Sequence, residues 1–185
     1  WVANGNYYPD DGVNQEEGDR DATFLLLNDV EILGGFSGSS TSSDYRGGSD
    51  EVVAAQREPE VFQTDLRGDV TDTWYVRSHH LVTGTGVDQT AILDGFELTN
   101  GDARDASIPG GSLYFSVGGS AILRNCEFGS AHGLSLNDDY SDPLYGSDIY
   151  LVGGTPLLEN CEGISSAYLY RTTANLRECR WIGAL

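Results

Sequence analysis

Lysine and methionine are absent from this 185-residue chain, histidine and cysteine occur three times each, and proline five times. Each shortage removes a class of explanation. Arginine is the whole basic complement: 10 residues against 29 acidic ones, for a formal charge of -19. Nucleic-acid binding needs a basic patch that neutralises phosphates, and none is present. Anionic membrane surfaces are disfavoured on the same ground. No apolar run approaches the roughly 18 residues of a membrane helix, so direct membrane insertion is not expected, and no signal-peptide pattern opens the chain. The cysteines, spaced 35 and 18 residues apart, match no zinc signature. No 3.6-residue apolar period runs long enough for an amphipathic helix.

What is present is glycine, 24 residues of it, among many Val, Ile, Leu, Tyr and Thr. That mixture points to short strands joined by tight turns. The acidic excess has two readings: solvated turns that keep a strand-rich surface soluble, or loops that hold divalent cations. The opening Trp1-Val2-Ala3 already reads as a strand, and with no methionine at position 1 the expectation is a processed or partial chain.

A phrase of small residue, apolar residue, Leu, polar residue, turn-former and then Phe or Cys recurs without gaps. It reads Ala91-Ile92-Leu93-Asp94-Gly95-Phe96, Ala121-Ile122-Leu123-Arg124-Asn125-Cys126, Pro156-Leu157-Leu158-Glu159-Asn160-Cys161 and Ala174-Asn175-Leu176-Arg177-Glu178-Cys179. Glu31-Ile32-Leu33-Gly34-Gly35-Phe36 fits the same frame. A second strand-like phrase precedes the later copies: Leu113 to Val117, Ile149 to Val152, and Tyr168 to Tyr170, each followed by a Gly- or Thr-rich corner. Leu81 to Gly86 plays that part before Ala91. A constant phrase at variable spacing is the signature of a solenoid, whose insertions collect at the corners.

Stacking explains why one residue type fills each position. Coils about 4.8 Å apart place equivalent side chains on top of one another. One interior column is expected from Phe36, Phe96, Cys126, Cys161 and Cys179, and another from Leu33, Leu93, Leu123, Leu158 and Leu176. The cysteines are read as free thiols in the core, with a disulfide between neighbouring coils as the alternative. Arg124, Glu159 and Arg177 share one outward position and are expected to form an ion-pair stripe.

Several phrases resemble the right-handed parallel β-helix repeat proteins, a bacterial extracellular branch of the pectate-lyase-like superfamily. They are Trp1 to Pro9, Val30 to Gly38, Leu66-Arg67-Gly68-Asp69, His80 to Gly84, Leu93 to Phe96, and Leu123-Arg124-Asn125-Cys126-Glu127-Phe128. The resemblance covers most of the chain and is weakest over 39–63 and 129–145. It implies an all-β right-handed parallel β-helix of about five or six coils, a single domain over 1–185 that is uncapped at both ends. An irregular polar excursion is expected over 37–78 and an acidic loop over 129–148. The group includes lyases, hydrolases, adhesins and structural proteins, so it indicates a fold more than an activity.

Candidate chemistry is sparse. Lyases of this fold use a Lys or Arg base, but lysine is absent and the arginines are scattered. Inverting glycosidases need carboxylates roughly 6.5–9.5 Å apart. Asn137-Asp138-Asp139 with His132 and Gly133 is the nearest match, although related pectin hydrolases place the paired Asp before the His-Gly element and on a different coil. Two acidic loops are calcium candidates as well as solvated turns. One contains Asp10, Asp11 and Asp19; the other contains Asp138, Asp139, Asp142 and Asp148. His79-His80 is read as structural, with strand alternation sending one side chain inward and one outward. The tyrosines could stack on sugar rings or pad a sheet face. The leading expectation is a non-catalytic extracellular or cell-surface structural or adhesive module that assembles end to end, its partners polysaccharide, further copies or surface proteins. The alternative is a carbohydrate-active lyase or hydrolase with part of its site outside the chain.

Overall fold

The structure, a computed structural model, describes residues 1–37, 57–70, 76–103, 110–129 and 149–182. Those residues contain strands and turns and no helix. Fourteen short strands form three sheets. The first sheet holds β1 (Gly5–Tyr7), β4 (Thr64–Arg67), β7 (Glu97–Thr99) and β10 (Glu127–Phe128). In the second are β2 (Phe24–Leu25), β5 (Val82–Thr83), β8 (Leu113–Phe115), β11 (Ile149–Val152) and β13 (Ala167–Tyr170). β3 (Glu31–Leu33), β6 (Ile92–Asp94), β9 (Ile122–Arg124), β12 (Leu157–Glu159) and β14 (Asn175–Arg177) make the third.

All pairings between these strands are parallel. Parallel neighbours need a long return path, usually a helix. Here the chain returns by visiting the other two sheets, so every third strand from β1 to β12 rejoins the same sheet. Between β12 and β13, bridges at Glu162 and Ile164 take the place of a first-sheet strand. This all-β arrangement is compatible with a parallel β-helix. β4 lies inside the stretch expected to be irregular. Four residues between polar flanks are too short for alternation to mark.

The repeat phrase stacks as expected over four copies. Leu93, Leu123, Leu158 and Leu176 pair rung to rung, as do Asp94, Arg124, Glu159 and Arg177. Phe96, Cys126 and Cys161 lie in the same core cluster as the first three leucines, with Cys179 packed against it. The earliest copy departs from the frame. Ile32, not Leu33, lies opposite Leu93, and Leu33 lies opposite Asp94. Phe36 is buried outside the main cluster and stacks on Trp1 at 5.3 Å between ring centroids. Adjacent Ile32 and Leu33 offer two equally apolar frames, and a one-residue slip exchanges the faces of the strand. Gly34 permits the displaced register, since a Cβ there would sit 2.4 Å from the Gly95 carbonyl oxygen.

The corner after the third sheet needs a left-handed residue on each rung, supplied by Gly35, Gly95, Asn125, Asn160 and Glu178. Glycine and asparagine tolerate that conformation best. Asparagine also joins the rungs: Asn125 donates its side-chain amide to Asp94 at 2.7 Å, and Asn160 donates to Asn125 at 2.8 Å.

Candidate functional site

A cleft of about 740 Å³ opens along the outside of the first sheet. Its outer wall is the turn around Glu58, closed by Val61 and Phe62 amides donating to the Glu58 carbonyl at 2.9 and 2.8 Å. Two ties hold the wall to the rungs. The Glu58 amide donates to the Gly35 carbonyl at 2.9 Å, and the Arg57 guanidinium meets the Asp94 carboxylate at 2.7 Å. Both side chains of that ion pair are nearly buried, and Asp94 also accepts from Asn125. Among the described residues the Arg57 Nε has no hydrogen-bond partner.

The floor is a column of carboxylates. Register places Asp65, Glu97, Glu127 and Glu162 opposite one another on successive rungs, and the last three line the cleft. Acids stacked at the coil spacing of about 4.8 Å repel one another. Asp65 is relieved by the Thr99 hydroxyl at 3.0 Å and Arg67 at 3.6 Å, yet burial still raises its carboxyl above the ordinary aspartate range. Burial first, and then the Asp65 and Glu127 charges, raise Glu97 as well. Glu162 is offset by Arg180 at 3.9 Å. The floor can therefore receive hydroxyl- or ammonium-bearing groups, and burial favours the protonated form of Glu97 within it.

The second sheet carries an aromatic ladder on its outer face. His80 stacks on Tyr114 at 4.6 Å, Tyr114 on Tyr150 at 5.5 Å and Tyr150 on Tyr168 at 4.9 Å. Because the rings face one another, the ladder shows their edges along the sheet and leaves few faces for sugar stacking. His80 donates from Nδ1 to the Gly110 carbonyl at 3.0 Å, and burial lowers its pKa. His79 meets Asp21 at 2.9 Å. Both histidines are partly buried.

The sequence candidates fall in different places. Asp10 is buried and accepts from the Gly18 amide at 2.9 Å, Asp19 accepts from the Asp21 amide at 2.9 Å, and Asp11 is exposed. Among the described residues no three His, Cys, Asp or Glu side chains converge as a metal site. His132, Asp138, Asp139, Asp142 and Asp148 lie outside the described residues. The Arg124–Glu159–Arg177 stripe is present, at 3.8 and 3.9 Å. All three cysteines are free thiols. The carboxylate column was missed because each first-sheet strand is only two to four residues long. Its signal was one acid placed before an apolar residue in Asp65-Leu66, Glu97-Leu98 and Glu127-Phe128.

No family model matches the chain, and no curated protein or solved structure is significantly similar to it.

Proposed function

We propose that this chain is a right-handed parallel β-helix of about five or six coils, of the pectate-lyase-like type, serving outside the cell or on its surface as a non-catalytic structural and adhesive module. The observation that supports this reading is the continuity of its ladders. Leucine, ion-pair, asparagine, carboxylate and aromatic columns each run through successive rungs in register, which favours a stiff rod with a repeating surface. The first-sheet cleft is the adhesive surface in this reading, and its amides and acids suit a neutral polysaccharide better than an anionic one. End-to-end assembly is part of the proposal. β13 and β14 each pair on one side only among the described residues, and Leu169 and Leu176 there are exposed.

Glycan binding and turnover, measured together on neutral and acidic polysaccharides with and without calcium, test the proposal. Retention without product formation supports it. Turnover that disappears in Glu97→Gln would overturn it in favour of a carbohydrate-active domain. That second reading is favoured by one observation, the partly buried Glu97 carboxylate lining the cleft with Asp65 and Glu127 on the rungs either side of it, where burial raises its carboxyl as a general acid requires. Sedimentation at high concentration tests assembly separately, since a chain that stays monomeric would remove end-to-end stacking.

A further inference from the structure

Cys126, Cys161 and Cys179 occupy one position on three successive rungs. The leucines three residues before them pair in register, and the Arg180 amide donates to the Cys161 carbonyl at 2.8 Å, which sets Cys179 opposite Cys161. Each thiol lies within donor reach of two carbonyls, that of the residue two before it (Arg124 at 3.2 Å, Glu159 at 3.5 Å, Arg177 at 3.3 Å) and that of a leucine on the preceding rung (Leu93 at 3.8 Å, Leu123 at 3.7 Å, Leu158 at 3.4 Å). The register thus sets the Cys161 thiol between the other two in the column. Exposure is graded. Cys126 and Cys161 are sealed in the core, whereas Cys179 is partly open to solvent.

We propose that Cys179 and Cys161 form an oxidisable pair, in which a hydroperoxide oxidises Cys179 and Cys161 then closes a disulfide between the last two rungs of the described fold. In the first step the Cys179 thiolate attacks a peroxide oxygen, the O–O bond breaks, and Cys179 becomes a sulfenic acid while the other oxygen leaves as water or alcohol. In the second step the Cys161 sulfur attacks the Cys179 sulfur, the S–O bond breaks, and the hydroxyl leaves as water. Two thiols and one hydroperoxide thus give one disulfide, with two electrons passing from sulfur to oxygen. Parallel neighbours lie about 4.8 Å apart, inside the 4.4–6.8 Å Cα separation that a disulfide accepts. Cys126 is also adjacent to Cys161, but no oxidant reaches it and the closed pair leaves it without a partner.

Reactivity at neutral pH will be low, because the Cys161 contact and then burial hold the Cys179 thiol above its ordinary range, and the contact with Cys126 does the same for Cys161. The folded chain is therefore treated with hydrogen peroxide at about pH 7 and about pH 9, alkylated, digested after arginine and mapped by mass spectrometry. Cys126 and Cys161 fall in the same peptide, 125–171, and Cys179 in 178–180, so the two disulfides between neighbouring rungs differ in kind. The expected product joins these two peptides, leaves one alkylated thiol at Cys126, forms faster at the higher pH, and still forms in Cys126→Ala. In Cys179→Ser, whose altered side chain lies at the accessible end of the column, no disulfide is expected. A loop within 125–171, sulfinic or sulfonic acid at Cys179 without a cross-link, or three intact thiols at the higher pH would each overturn the proposal.

Discussion

Replacing Leu123 by alanine should cost far more stability than the same change at Leu176, although both belong to one column. Leu123 has no exposed surface and is held in register between Leu93 and Leu158. Buried Leu→Ala changes cost about 2.7–5.0 kcal/mol, the larger values arising where the surroundings cannot collapse into the cavity. The neighbouring leucines sit on backbones fixed by their own ladder, so about 4 kcal/mol is expected. Leu176 is 36% exposed and, among the described residues, has a paired neighbour on one side, and its truncation should cost about 1–1.5 kcal/mol. The gap of about 2.5 kcal/mol corresponds to about 70-fold in the unfolding equilibrium. Urea titration followed by far-ultraviolet circular dichroism reads it directly, provided that both variants keep the parental denaturant slope. A reduced slope at Leu176→Ala would mean that outer rungs unravel separately, as repeat architectures allow. Equal losses at the two sites would refute the stacked-column reasoning.

Three other perturbations follow from the corners and the cleft. Val117 has a left-handed backbone at φ 50 and a largely exposed side chain, so Val117→Asn should stabilise by about 1 kcal/mol, and a loss of stability in the same titration would contradict the strain. Asp94→Ala leaves the buried Arg57 charge without its carboxylate and should cost about 3–5 kcal/mol, whereas an unchanged melting temperature would show that the cleft wall is not anchored there. Glu97 has a folded-state pKa above the ordinary 4.5, so the folded chain binds that proton more readily than the unfolded chain. The ionised form therefore weakens the fold at neutral pH, and the penalty fades as pH falls through the raised value. Glu97→Gln should raise the unfolding midpoint at pH 7 and have less effect at pH 4; destabilisation at pH 7 would refute the like-charge argument.

Sequence and structure agree where the repeat is long and its positions differ in kind. The alternation of apolar, Leu and polar residues in Ala121 to Arg124 admits one register, and that register is observed against both neighbouring rungs. Tyr114, Tyr150 and Tyr168 align from the second phrase in the same way. Two features were not legible. Ile32-Leu33 offers two frames, and the choice is made by Gly34 and the Trp1–Phe36 stack, contacts distant in sequence or specific to that rung. The carboxylate column depends on pairing Asp65, Glu97, Glu127 and Glu162 across gaps of about 30 residues. An acid before Leu or Phe is too short a signal to mark a strand by itself, and only the closed coil brings these acids together.

A crystal structure of the chain tests the central claim most directly. The expected result is a right-handed coil in which Leu93, Leu123 and Leu158 stack at successive rises of about 4.8 Å, with Glu97 and Glu127 aligned along one outer face. A left-handed path, or antiparallel pairing between β6, β9 and β12, would contradict it.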